Sequence, residues 1–186
     1  MKRLIVSADD FGLTEGINEG IIRCAREGIV TSASIMTNMP AFEHAVAQAG
    51  QCPGLALGVH LNLVKGRPLL PPEQVSSLVD NKGNFYTLPR FTLKLLTGKI
   101  KLAEAEPELR RQVEKALAAG LTVTHLDSHR HFHTYPALLK PVIKMAREYK
   151  INKIRCPLGL SVLPGSIKEF ILNTLSRNAR KRLDMA

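Results

Sequence analysis

Short apolar runs alternate along the chain with longer stretches whose apolar residues recur every three or four positions, and glycine or proline marks most boundaries. Leu4-Ile5-Val6-Ser7-Ala8 predicts a buried strand. Thr14 then caps a helical pattern carrying Ile17, Ile21, Cys24 and Ala25, which Gly28 stops. Thr31 to Met36 predicts a second strand, and Pro40 opens a helix with Phe42, Ala45, Val46 and Ala49 that ends at Gly50. A third strand is expected over Leu55 to His60. The stretch from Lys65 to Pro89, with several prolines and the turn sequence Asn81-Lys82-Gly83-Asn84, reads as a long loop, and an excursion of that length points to function.

The alternation continues to the end. A helix over Glu104 to Ala119 presents Leu109, Val113, Ala116 and Leu117 on one face, and Leu121 to Leu126 predicts a fourth strand. Glu104, Glu106, Glu108 and Glu114 of that helix, interleaved with Arg110, Arg111 and Lys115, read as its solvated face. Pro136 opens a helix with Leu139, Val142, Ile143 and Ala146, and Ile151 to Cys156 predicts a fifth strand. Ser166 and Glu169 have capping-box spacing for a last helix bearing Ile167, Phe170, Ile171 and Leu175. Such alternation specifies an α/β fold with a mainly parallel sheet, open or closing towards a (β/α) barrel, and five or six units fall short of the eight in a regular barrel.

Composition narrows the class. The 186 residues suit one domain, taken as residues 1–186, and 45% apolar with 23% charged residues is globular and excludes wholesale disorder. No apolar run reaches the ~18 residues that cross a bilayer, and the opening residues lack the apolar core of a secretory signal. Cys24, Cys52 and Cys156 make neither an even set nor a C-x-x-C pair, so a reducing cytoplasm is expected. The net charge of +10 is uneven, with ten basic and three acidic residues in 144–186. Arg177, Arg180, Lys181 and Arg182 have no interleaved aromatic residue, so no specific nucleic-acid partner is expected. A solvated basic end, or peripheral contact with an anionic membrane surface, accounts for the cluster.

In parallel α/β architectures reactive groups collect at the C-terminal ends of strands. Three predicted strands end in polar residues: Asp9-Asp10-Phe11-Gly12, His60-Leu61-Asn62, and His125-Leu126-Asp127-Ser128-His129-Arg130-His131-Phe132-His133. One Asp and two His can hold a divalent ion facially and leave positions open for substrate. Successive strand side chains point to opposite sides, so Asp10 could ligate while Asp9 addresses a water molecule; the pair could equally cap the following turn. His60 taken alone reads as a hydrogen-bonded core histidine. His125, Asp127, His129, His131 and His133 share parity, and extended backbone would aim them one way. The chain must bend before Pro136, which leaves one or two of these histidines to reach a metal and the others to orient ligands or touch substrate.

These segments, together with Gly28-Ile29-Val30-Thr31-Ser32 and Gly58-Val59-His60-Leu61-Asn62-Leu63, resemble the YdjC/ChbG-like carbohydrate deacetylases in content, order and spacing over residues 1–160. Gly66-Arg67-Pro68-Leu69-Leu70-Pro71-Pro72, Leu78-Val79-Asp80 and Gly83-Asn84-Phe85 are most similar to the HpnK branch, associated with hopanoid lipid biosynthesis. The resemblance implies a distorted (β/α) barrel in which Asp10, His60 and His129 bind a divalent ion and Asp9 is the general base. The ion implied is magnesium, and two histidines would equally suit zinc or another transition metal. Asn62, His125, Asp127 and His131 remain as groups that support the ligands or touch substrate. Family members usually continue further and carry a later His-Pro segment; no histidine follows His133 here, which leaves His131 or His125 as the substitute proton donor.

The expected reaction is metal-assisted removal of an N-acetyl group from an amino sugar, oligosaccharide or glycolipid. A metal-dependent phosphoesterase and a truncated, non-catalytic metal-binding remnant are the alternatives, and release of acetate, phosphate or neither separates them. Strands that do not close leave edges and apolar faces uncovered, so the chain is expected to be a fragment of a longer protein or a homo-oligomer that uses Ile167 to Leu175.

Overall fold

A computed structural model describes residues 4–157, 173–178 and 180. Strands β1 (Ser7–Phe11), β2 (Ser32–Ile35), β3 (Ala56–Leu61) and β4 (Val123–Ser128) pair in parallel in the order β1-β2-β3-β4. Helices α1 (Glu15–Arg26) and α2 (Phe42–Gly50) connect the first three strands, and α3 (Leu88–Leu96) and α4 (Leu102–Ala118) lie between β3 and β4. Helix α5 (Pro136–Glu148) follows β4. The fold is α/β with a parallel sheet, and every connection brings the next strand's C-terminal end to the same rim.

Two apolar clusters hold this arrangement. Phe11, Ile35, Phe42, Ala45 and Leu57 join β1, β2 and β3 to α1 and α2. The larger cluster gathers Val59, Leu61, Phe91, Leu109, Val113, Leu126, Phe132, Leu138 and Val142 from β3, β4 and the later helices. Thr14 caps α1 as its sequence predicts, its hydroxyl accepting the N–H of Ile17 at 3.3 Å. Among the described residues no helix is long and apolar enough to cross a membrane.

The expected elements shift at identifiable places. Strand β1 starts later than Leu4, and Leu4 and Ile5 are 79% and 72% exposed, because the ladder to β2 runs through Ser7 and Ala8 and the core residue is Phe11. The loop expected from Lys65 to Pro89 contains a 3-10 turn at Pro72–Val75, and α3 then starts at Leu88. Pro89 sits in the first turn of α3, where a missing N–H costs nothing, and buried Phe91 packs 6.1 Å from the Phe132 ring. The fifth strand reduces to a single parallel bridge between Leu126 and Ile154. Glu108, expected in solvent, is fully buried. The final helix expected from Ser166 lies mostly outside the described residues, though 173–178 are helical.

Candidate active site

The end of β1 departs from a regular strand. Asp10 has φ 64, and the register with β2 slips between Ala8 and Phe11. A left-handed residue in a strand breaks the alternation of side chains. Asp9 and Asp10 therefore line the same cleft, of about 970 Å³, instead of facing opposite sides. Buried Asn18 of α1 holds the turn: its Oδ1 accepts the Gly12 N–H at 2.6 Å, and its Nδ2 donates to the Ala41 carbonyl at 3.0 Å. Gly12 has φ 93, and a Cβ there would sit 3.0 Å from the Met36 carbonyl oxygen, so the turn requires glycine.

His60 is the penultimate residue of β3 and His129 follows β4, and both converge on Asp10. His129 Nδ1 lies 2.8 Å and His60 Nε2 3.4 Å from Asp10 Oδ1, and the two imidazoles meet edge to face at 5.7 Å. The three potential ligand atoms lie within 4.8 Å of one another. The other nitrogen of His60, Nδ1, lies 2.7 Å from Asp127 Oδ1. Asp127 is buried, so this bond fixes the ring plane with Nε2 turned to Asp10 and keeps the hydrogen on Nδ1. Hydrogen bonds from His129 and His60 hold the Asp10 carboxyl well below the usual carboxylate range. Burial alone would lower the pKa of His60, but the hydrogen bonds to Asp10 and Asp127 outweigh it and push it up to about 9. One carboxylate and two imidazoles form a donor set that fits a divalent cation.

The histidine cluster is not extended. After Ser128 the chain turns through His129–Thr134, with Arg130 at φ 61 and His131 at φ 59, and the common parity ends there. The five residues consequently go to different places. His129 and His131 line the cleft, and Asp127 lies beneath His60. His125 is on β4 between Thr124 and Ser34 and away from the cleft lining. His133 is buried, with Nδ1 2.6 Å from Ser128 Oγ and Nε2 2.9 Å from the Arg155 carbonyl oxygen. Burial and the nearby Arg155 charge lower the pKa of His131, and its Nδ1 has no hydrogen-bond partner.

Asn62 is fully buried and organises the chain beyond β3. Its Nδ2 donates to the Lys65 carbonyl at 2.7 Å and to Asn38 Oδ1 at 3.0 Å, and its Oδ1 accepts the Val64 N–H. Arg155 is a site residue that the sequence pattern did not disclose. Its guanidinium donates to Asp9 Oδ1 at 2.6 Å and to Asp127 Oδ2 at 3.2 Å. The segment carrying it is held to β4 by the Leu126 N–H donating to the Lys153 carbonyl and by the Arg155 N–H donating to the Leu126 carbonyl. A fifth sheet-edge segment thus supplies the cation that braces Asp9. The available signal was the break at Pro157 after the predicted strand Ile151 to Cys156, which places Arg155 near that segment's C-terminal end.

The YdjC-like protein family profile matches residues 3–185. The chain belongs to the YdjC-like family. It is 45% identical over 149 residues to a carbohydrate deacetylase of Brevibacillus brevis, a match covering 80% of this chain and 57% of that protein. It is 40% identical over 159 residues to a carbohydrate deacetylase of Thermoanaerobacter pseudethanolicus, covering 85% of this chain and 62% of the relative. Among solved structures, one from Enterococcus faecalis, described provisionally as a cellobiose-phosphate cleavage protein, superimposes with TM-score 0.76 at 33% identity. That match covers 94% of this chain and 64% of the other, so this chain spans about three fifths of the length of these relatives.

Proposed function

We propose that this YdjC-like chain carries the catalytic half-site of a metal-dependent carbohydrate deacetylase, removing an N-acetyl group from an amino sugar in an oligosaccharide or glycolipid. The observation that carries the reading is the meeting of Asp10, His60 and His129 beside Asp9 in one cleft. The names of the relatives support the carbohydrate deacetylase class. The resemblance of Gly66 to Pro72 to the hopanoid-associated branch makes an amino sugar carried on a hopanoid lipid one substrate to test.

Asp10, His60 and His129 would hold the divalent ion, with magnesium, manganese or zinc as candidates. When bound, the ion supplies Lewis acidity that polarises an amide carbonyl. Asp127 keeps His60 in the ligating tautomer. Arg155 grips one oxygen of Asp9, which leaves the carboxylate oriented to take a proton from an attacking water molecule as general base. His131, Tyr135, Leu88 and Pro89 line the remaining cleft and would orient the sugar.

The test is acetate release from N-acetylated chitooligosaccharides by the chain with magnesium, manganese or zinc. Stoichiometric acetate that disappears with chelator and in Asp9→Asn is the expected result. Phosphate release from sugar phosphates without acetate would overturn the assignment.

A further inference from the structure

Beneath the proposed ion site, one row of the sheet carries a side-chain bridge between non-adjacent strands. Ser34 of β2, Gly58 of β3 and His125 of β4 are successive lateral partners in the parallel register. A Cβ on Gly58 would lie 2.3 Å from His125 Nε2 and 2.5 Å from its neighbouring ring carbons. The imidazole of His125 therefore occupies the space over Gly58 and crosses β3 to reach Ser34. Its Nε2 is 3.2 Å from Ser34 Oγ, and its Nδ1 is 2.9 Å from Thr124 Oγ1. Two rows on, past Val59 and Leu126, His60 stands opposite Asp127.

Proton counting gives the bridge a direction. The Asp127 carboxylate only accepts, so the single Ser34 hydroxyl proton goes to Asp127 Oδ2 at 2.8 Å. Ser34 then faces His125 with a lone pair, which requires a hydrogen on His125 Nε2. Thr124 Oγ1 can give its proton to His125 Nδ1 or to the Leu57 carbonyl, also 2.9 Å away. A neutral ring keeps both imidazole bonds when Thr124 donates to Nδ1, and the Leu57 carbonyl then goes without the Thr124 hydrogen. Every hydrogen in the chain Thr124, His125, Ser34 then points towards Asp127, and Asp127 receives His60 Nδ1–H on its other oxygen.

We propose that His125, seated over Gly58, is a positioning residue that acts through Ser34 and Asp127 to hold His60 in the orientation that presents Nε2 to a divalent ion. The inference rests on the ion-site reading above and adds residues remote from the cleft. Partners that orient metal-binding histidines typically influence affinity by 10–100-fold; Asp127 is that partner, and His125 stands two hydrogen bonds further out. The role needs a donor at the Nε2 position and an empty space at residue 58. Glutamine can supply a comparable amide donor, whereas leucine fills similar space without one.

The experiment combines imidazole 15N NMR of the ion-free full chain with manganese titration calorimetry of the wild type, His125→Gln, His125→Leu, Ser34→Ala and His125→Leu/Ser34→Ala. Far-ultraviolet circular dichroism checks that each variant is folded. The expected spectrum shows His125 as the neutral Nε2–H tautomer. His125→Leu and Ser34→Ala are each expected to weaken manganese binding roughly tenfold. The double variant should be no weaker than the worse single one, and His125→Gln should stay within about threefold of wild type. An Nδ1–H tautomer, or folded His125→Leu with unchanged affinity, overturns the proposal. Failure of the wild type to bind manganese, magnesium or zinc would instead overturn the ion site, while the tautomer still decides whether the directed bridge exists.

Discussion

Adjacent carboxylates take different partners here through backbone conformation. Asp10 reaches both histidines because its left-handed φ turns it out of the strand alternation, and Asp9 stays within reach of Arg155. The aspartates and histidines were legible as chemistry from residue type and position, but the turn that brings both aspartates to one cleft was not. A positive φ at a non-glycine residue depends on tertiary support, in this case from Asn18 and Gly12, and leaves no periodic signature. The geometry predicts different failures for two similar substitutions. Asp10→Asn should weaken divalent-ion affinity at least 100-fold, because a neutral amide replaces the central carboxylate. Asp9→Asn should bind the ion within about threefold of wild type and lose acetate release. Titration calorimetry beside an acetate assay checks both; equal loss of ion affinity in the two variants would contradict the division.

At the scale of elements, buried polar groups tie loops and strand ends to the scaffold. Helix α4 illustrates why charge pattern alone misleads. Glu106 pairs with Arg110 and Lys144, as a solvated face should, yet Glu108 points inward and accepts N–H groups from Leu69 and Leu70 and the amide of Gln112. Gln112 also donates to the Asn62 carbonyl at 2.7 Å, so one turn of α4 fixes the chain beyond β3. Nothing in the spacing of glutamates distinguishes one that binds backbone from one in water. Glu108→Ala should lower stability by about 2 kcal/mol, measured by urea denaturation, since buried donors lose their acceptor.

His133 makes a second tie, between the turn after β4 and the segment bearing Arg155. Its Nε2–H donates to a carbonyl and its Nδ1 accepts the Ser128 hydroxyl, so both nitrogens are engaged in the neutral ring. Burial lowers its pKa from 6.5 to about 4. A depressed folded pKa means that the unfolded chain binds the proton first as pH falls, so this contribution is present above pH 6.5 and is lost as pH falls towards 4. The lost amount approaches about 3 kcal/mol. Relative to a His133→Gln chain, the wild type should therefore lose its advantage between pH 7 and pH 4.5 in urea titrations. A pH-independent difference would show that His133 is not buried as a neutral ring.

Across the whole molecule, the site is assembled from residues distant in sequence: Asp10 bonds His129 across 119 positions, and Arg155 bonds Asp9 across 146. Among the described residues, the alternation of apolar periods predicted the four paired strands and helices α1, α2, α4 and α5, because those elements bury continuous faces. It missed α3, whose apolar Leu88, Phe91 and Leu95 follow a proline-rich stretch that masks the period. It also extended the fifth strand beyond its single bridge at Ile154, since the short mixed segment Ile151 to Cys156 does not say how many of its residues find a partner. The parallel order β1-β2-β3-β4 puts the three polar strand ends on one rim, and the central claim is that this rim holds a divalent ion. Anomalous diffraction from crystals of the chain grown with manganese tests it most directly. The expected result is one ion coordinated by Asp10, by His60 through Nε2 and by His129, with ligand distances of about 2.0–2.3 Å. An ion bound elsewhere, with His60 still turned to Asp10 and all three ligands unengaged, would contradict it.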